Sequence, residues 1–282
     1  MTSTLKKKRK LKMLAIEITS VLAALVVFGI PFYYVLINSA KSATESAGRN
    51  INLPSEFYLV ENYAEVLQTN NGVVIRAFMN SIFITTMTVL LIVLISSMAG
   101  FILSRRKGKV INLTTILILA GLMIPPAIVP TIRVLLGLNL FPSMWGLILV
   151  QAALQFPFGT MLYRSFVAGI PRELDESALI DGASPFRIFI SIIWPLLKPV
   201  HATVVVITAV TVFNDFMTPL YFLPGAQNVT VQLTLYNFMS QFATQWNLLF
   251  ANVVLITIPP LILFIFFNKK IVAGMTSGAV KG

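Results

Sequence analysis

The sequence predicts an all-α integral membrane protein with six transmembrane helices and a cytoplasmic loop of two short helices between the fourth and fifth. Three observations predict it. Hydrophobic residues make up 57% of the 282 and charged residues only 11%, too little charge to cover a soluble domain of this length. The charges are gathered in short clusters between long uncharged runs, the pattern of a polytopic membrane protein. The basic clusters also fall preferentially between alternate runs, which is how a membrane protein encodes its orientation.

Crossing a bilayer as helix takes about 20 apolar residues, because every backbone group must be bonded within the segment. Six runs qualify: 13–37, 82–103, 110–129, 145–167, 200–223 and 248–267. The first follows a basic tail, 1–12, that contains KKKRKLK. It is too long for a signal-peptide core and has no small-residue cleavage site, so it reads as a retained anchor. Between the first and second runs, 38–81 is long enough for a short helix of its own around ENYAEVLQ. The segment 131–144 is short, and 224–247 carries no charged residue. No internal repeat, low-complexity tract or linker divides the chain, which reads as one transmembrane domain over 1–282.

Orientation follows from Lys and Arg. Lys6, Lys7, Lys8, Arg9, Lys10, Lys12, Arg105, Arg106, Lys107, Lys109, Arg164, Arg172, Arg187, Lys198, Lys269, Lys270 and Lys281 fall on one side, and Lys41, Arg49, Arg76 and Arg133 on the other. Seventeen against four places both termini in the cytoplasm under the positive-inside rule. The same rule accounts for the net charge of +11 without nucleic acid. No cysteine is present, so there is neither a disulfide framework nor a thiolate metal site. A single histidine, His201, excludes sites that need two imidazoles. No catalytic or metal site is expected.

The densest acidic patch is RELDESALIDGASPF, residues 172–186, with four of the ten carboxylates, on the side assigned to the cytoplasm. Pro171 suits the first position of a helix. Glu173, Asp175 and Glu176 then fall in its opening turns, where carboxylates favour the positive end of the dipole. Gly182 is a stop. Ser184-Pro185 restarts a helix with a cap and a proline running towards IIWPLLKP. Ala178 and Gly182, four apart, form a small-residue patch open to close approach. By spacing alone this is either a docking surface or a solvated amphipathic connector.

ESALIDGASPF, with Pro195 and Pro199 beyond it, resembles the EAA loop of binding-protein-dependent ABC importer permeases. Glu176-Ser177-Ala178 stands for the Glu-Ala-Ala, Gly182 for the glycine that follows, and Trp194-Pro195 for the later apolar-Pro pair. Ser177 departs from alanine by a small-for-small change. FMNSIFI before the second run, MIPPAIVP ending the third, FNDFMTPL in the fifth and the tail AGMTSGAVKG resemble the carbohydrate-importer branch, in particular the six-span maltose-importer subunit. The resemblance implies that Glu173, Glu176, Ser177, Ala178, Asp181, Gly182 and Ala183 meet an ATPase subunit. It implies a second, homologous permease, two ATPase subunits holding ATP and Mg, an extracytoplasmic solute-binding protein and a carbohydrate substrate. The setting would be a bacterial or archaeal cell (inner) membrane. The sequence has no GxxxxGK[ST] motif, so nucleotide falls to a partner, and this chain itself is expected to hold no cofactor.

Polar residues at membrane depth are expensive and mark partners or pathways. Asn214 and Asp215 sit in the outer half of the fifth run, and either reading, gate or structural pair, is open there. Gln151 and Gln155 lie one helical turn apart on the fourth run, as interhelical glue or a sugar contact. His201 reads as a boundary residue, and Glu17 as a partner of the basic tail. In the outward segment 224–247, TLYNFMSQFATQWN alternates rings with amides. Tyr236, Asn237, Phe238, Gln241 and Trp246 suit a sugar or an aromatic belt, and the resemblance adds contact with the docked binding protein. The rivals are an importer of a non-sugar solute, a secondary transporter and a membrane enzyme. A secondary transporter normally has inverted repeats and several buried charges, and an enzyme needs paired acid and base; neither pattern is apparent.

Overall fold

The computed structural model describes the backbone of residues 2–225, 228–239 and 245–279, and the side chains of 12–225, 228–239 and 245–267. Gln241, and the side chains of Lys6 to Lys10 and of Lys269, Lys270 and Lys281, lie outside the described residues. Among those described, the chain is helical throughout, with no strand. Four helices are long and apolar enough to cross a membrane, and two bent pairs bring the number up to six if each counts as one span. The described chain is an all-α membrane protein and forms two compact units, Met1–Gly72 with Leu235–Thr257, and Val73–Thr234 with Ile258–Gly282.

In the first unit, α1 (Thr2–Ala24) runs through a π-helical turn, Leu25–Gly29, into α2 (Ile30–Ser39). A short α3 (Ala43–Ala47) follows, capped by Ser42, whose side chain accepts from the Glu45 N–H. The helix expected around ENYAEVLQ is the first part of α4 (Leu59–Arg105), which is interrupted at Thr69–Gly72. Asn70, Asn71 and Gly72 are all left-handed there, a conformation that Asn and Gly tolerate better than other residues. The unit is knit by buried amides. Lys41 is fully buried and donates to Asn50 O (2.9 Å), Asn50 Oδ1 (2.8 Å) and Asn38 Oδ1 (3.3 Å). Asn62 Nδ2 donates to the carbonyls of Ser39 and Lys41, and Asn247 Nδ2 donates to Asn62 Oδ1 at 2.8 Å. Lys41 therefore serves as an internal donor, not only as an orientation charge.

In the second unit, α4 from Val73 packs against α7 (Met144–Ala168) through small residues. A Cβ on Gly100 would stand 2.6 Å from Tyr163 Cβ and 2.8 Å from Arg164 N, and one on Gly159 would stand 2.9 Å from Ser96 Oγ. Ser96 and Gly100 are four apart on one helix, the spacing that lets membrane helices approach closely. Two apolar clusters fill this unit. One gathers Ile92, Tyr163, Val167, Ala178, Ile193 and Val204; the other gathers Ile84, Leu135, Leu147, Ile148, Val212 and Phe222.

The third apolar run differs from its sequence bounds. α5 (Lys109–Met123) stops six residues before 129, and the chain turns by 119° into α6 (Ile128–Gly137). Pro125-Pro126 forces this, because a residue before proline is driven out of the helical region, and Ile124 is extended (ψ 122). At 1.5 Å per residue, α5 is only about 22 Å long. The fifth run is also broken. α11 (Lys198–Asn214) ends at an extended Asp215, and α12 (Met217–Phe222) resumes beyond it.

Candidate functional site

The acidic loop is built as α8 (Glu173–Ile180) and α9 (Pro185–Ile188) around a glycine corner. The helix starts two residues later than Pro171, with Arg172 as its N-cap, and three carboxylates occupy its first turn, where the dipole favours them. Its exit is a Schellman-type closure: Ala183 N–H donates to Ala178 O (2.9 Å) and Gly182 N–H to Leu179 O (3.0 Å). Gly182 has φ 78, the left-handed conformation such an exit requires. Ser184 then caps α9 by accepting from the Arg187 N–H, as its sequence signal predicts. A five-residue π-helical turn, Phe189–Ile193, and α10 (Trp194–Leu196) continue this arm, which meets α11 at a 77° bend.

The small-residue pair is divided by the fold. Ala178 is buried in the core beside Val167 and Ile193, whereas Gly182 faces open space, with nothing within 4 Å of a Cβ placed there. Glu173, Glu176, Ser177 and Asp181 are exposed, and Ala183 is half-buried. Around them, Leu174, Leu179, Ile180 (87% exposed) and Phe186 are also exposed. The loop thus exposes large apolar side chains beside carboxylates, a mixed composition suited to an interaction surface.

The loop is fastened by arginines. Arg105, the last residue of α4, donates from Nη1 to Val167 O (3.3 Å) and Ile170 O (3.1 Å), and from Nη2 to Ile170 O (3.2 Å). Its Nε stands 2.5 Å from Asp175 Oδ2. Arg172 Nη2 donates to Ser104 O at 3.2 Å. Beside this junction, α4, α8 and α9 enclose a cavity of about 370 Å³ lined mainly by Met98, Phe101, Ile102, Leu179, Phe186 and Phe189.

The polar residues of the spans gather at the break after α11. Fully buried Gln151 donates from Nε2 to Asp215 Oδ2 at 2.6 Å, and Asp215 Oδ1 accepts from the Thr218 N–H at 3.1 Å, holding the start of α12. Asn214 is exposed and its Oδ1 accepts from Gln232 Nε2 at 3.2 Å. Gln155 is half-buried and is not part of this cluster.

The sequence profile of the family described as binding-protein-dependent transport system inner membrane component matches residues 92–277. The chain belongs to this family. The permease is 31% identical, over 95% of its length and 98% of the other's, to a melibiose/raffinose/stachyose import permease of Bacillus subtilis. It is 32% identical, over 89% and 91%, to a multiple sugar-binding transport system permease of Streptococcus mutans. A starch degradation products permease of Thermoanaerobacterium thermosulfurigenes matches with the same identity and shares. It shares its fold with a chain in the crystal structure of a bacterial ABC transporter involved in import of the acidic polysaccharide alginate, at TM-score 0.78 and 19% identity over 93% and 97% of the two chains. This permease is a membrane component of a transport system, not an enzyme.

Of the residues singled out in the outward segment, Tyr236 and Asn237 of the permease are exposed and Phe238 is buried. Phe238 O accepts from the Gln245 N–H (3.2 Å). Trp246 is half-buried, with the Arg49 guanidinium 5.1 Å over its ring and Phe250 beside it. His201 accepts a larger part than a boundary residue. Its Nδ1 is 2.6 Å from Tyr163 Oη and its ring lies against Trp194 (4.4 Å between centroids). Asp175, Arg105 and Gln232 were not among the sequence candidates. Asp175 read only as a helix-start acid and Arg105 only as an orientation charge; nothing local in the sequence of either names its partner.

Proposed function

We propose that this permease imports a carbohydrate, as one of two homologous permease subunits that together form the path. Two ATPase subunits, holding ATP and Mg, complete the assembly, one of them docking on α8 and the glycine corner of this chain, and a solute-binding protein delivers substrate from the opposite face. The observation that carries the reading is the exposed Leu174, Leu179, Ile180 and Phe186 set among Glu173, Glu176 and Asp181. Large apolar side chains exposed beside carboxylates suit a protein partner, and a solvated connector would have no reason to expose Ile180 almost completely. The basic residues assign this loop and both termini to the cytoplasm, where a soluble ATPase is available. The sugar permeases among the relatives support a carbohydrate, and an oligosaccharide in particular. Asn214, Asp215 and Gln151, with Gln155 a turn away, are the amides and carboxylate of the path or its outer gate. Tyr236, Asn237, Gln241 and Trp246 are assigned to the face that meets the binding protein, with Phe238 as its buried anchor.

Reconstitution tests this. The assembly in proteoliposomes should take up a labelled oligosaccharide only with internal ATP and external binding protein. Uptake driven by an ion gradient without ATP would overturn the reading, and ATP-dependent uptake of a non-sugar solute alone would overturn its carbohydrate part.

A further inference from the structure

Four cations cluster where α4 gives way to α5, Arg105, Arg106, Lys107 and Lys109, and they are not equivalent. Arg106, Lys107 and Lys109 are exposed, and their charge is all that the orientation signal asks of them. Arg105 is 11% exposed, Asp175 15%, and every nitrogen of the Arg105 guanidinium faces an oxygen of another element. Nη1 and Nη2 take the carbonyls of Val167, in the last turn of α7, and of Ile170, just beyond it. Nε stands 2.5 Å from Asp175 Oδ2 in the first turn of α8, an ion-pair contact without hydrogen-bond geometry. Asp175 Oδ1 is buried without a hydrogen bond among the described residues, so Arg105 is what compensates this carboxylate. Arg172 closes the ring from the other side through Ser104 O.

We propose that Arg105 is a positioning residue that makes α8 move as one body with α4 and α7, so that displacement of the loop is passed to those helices. This rests on the importer reading above. The polar fastening lies at the N-terminal end of α8, through Arg105 and Arg172; its C-terminal half is held by apolar packing of the buried Ala178, and only the left-handed Gly182 corner stands in open space. A planar fork of donors can reach two carbonyls and a carboxylate together, and a lysine ammonium on a flexible stem cannot.

The test compares Arg105→Gln, Arg105→Lys and Asp175→Asn with Arg106→Gln, which removes the same charge from the same cluster without touching the ring. In the full assembly, Arg105→Gln and Asp175→Asn should retain the ATPase on co-purification and hydrolyse ATP, while solute moved per ATP falls by about tenfold. Arg105→Lys should fall between, and Arg106→Gln should match the wild type. Amide exchange of 174–180 in the purified permease gives a readout that needs no partner, and it should quicken by about tenfold in Arg105→Gln and not in Arg106→Gln. Equal exchange in those two variants, or an unchanged transport-to-hydrolysis ratio in an assembled Asp175→Asn, would overturn the proposal. Wild-type assembly that shows no ATP-dependent uptake would overturn the importer reading instead, with the exchange result still deciding whether the ring fastens α8.

Discussion

At the residue scale, Gln151 and Asp215 form the pair with the clearest cost. Gln151 is fully buried, and its amide spends a donor on a carboxylate 64 residues away. Asp215→Leu should therefore leave a buried amide unsatisfied and cost about 1–3 kcal/mol. Adding Gln151→Leu should recover part of that loss, and thermal unfolding of the four species of the cycle in detergent measures it. Asp215→Asn is a different experiment, because the Gln151 amide can turn to present its oxygen and the Thr218 N–H keeps an acceptor. Transport that changes while the melting temperature holds would place Asp215 in the path. A lowered melting temperature with full transport per assembled complex would make it only a structural pair. Both polar residues were legible from the sequence, since a carboxylate and two amides at membrane depth demand a reason. Their pairing was not, because Gln151 and Gln155 share one helix face, and which of them stands level with the break after Asn214 depends on how far α7 is shifted along its axis against α11.

At the scale of elements, several local signals agree with the structure, while the helix expected from Pro171 opens two residues later, at Glu173. The cap at Ser184-Pro185, the stop at Gly182 and the short helix around ENYAEVLQ each rest on neighbouring residues. The third run was misjudged in length because apolar content runs on through Ile124 to Val129, although the two prolines already forbid a straight helix there. Arg105 was hidden for a different reason: counting cations by side ignores which of them are bound. Gly182 separates two kinds of cost. A Cβ there has open space within this chain, so Gly182→Leu pays only for a left-handed φ of 78, about 1–2 kcal/mol, unless a partner fills the space. Asn tolerates that φ, so Gly182→Asn should preserve the corner. Loss of ATPase binding by Gly182→Leu with retention by Gly182→Asn would locate the fault in size or backbone, and normal coupled transport by Gly182→Leu would return the loop to a solvated connector. The α4–α7 crossing has no such room. Gly100→Val should cost about 1–3 kcal/mol by overpacking, seen as reduced assembled permease, since the obstructing atoms include backbone nitrogen at Arg164.

At the scale of the whole molecule, the sidedness of every site depends on one inference from charge, and the chain lends itself to checking it because it contains no cysteine. Arg105 and Arg172 join the ends of α4 and α7 to the acidic loop, so all three must lie on one side, whichever it is. The burial of Lys41 weakens the minority count further, since a cation held by three neutral oxygens has a structural reason to be where it is. Lys107, exposed after α4, and Leu53, 67% exposed in the segment between α3 and α4, fall on opposite sides of the membrane in the orientation expected from the basic residues. Lys107 is a better probe than Gly108, whose φ of 136 is unfavourable for any side chain. In intact cells a membrane-impermeant maleimide should label Leu53→Cys and leave Lys107→Cys untouched until the membrane is opened. The opposite pattern would put α8 outside the cell, where no ATP-hydrolysing subunit can dock, and the exposed Ile180 and Phe186 would then have to serve an external partner. Labelling of both from outside would mean that α4 does not span at all, against its long apolar carboxy-terminal part.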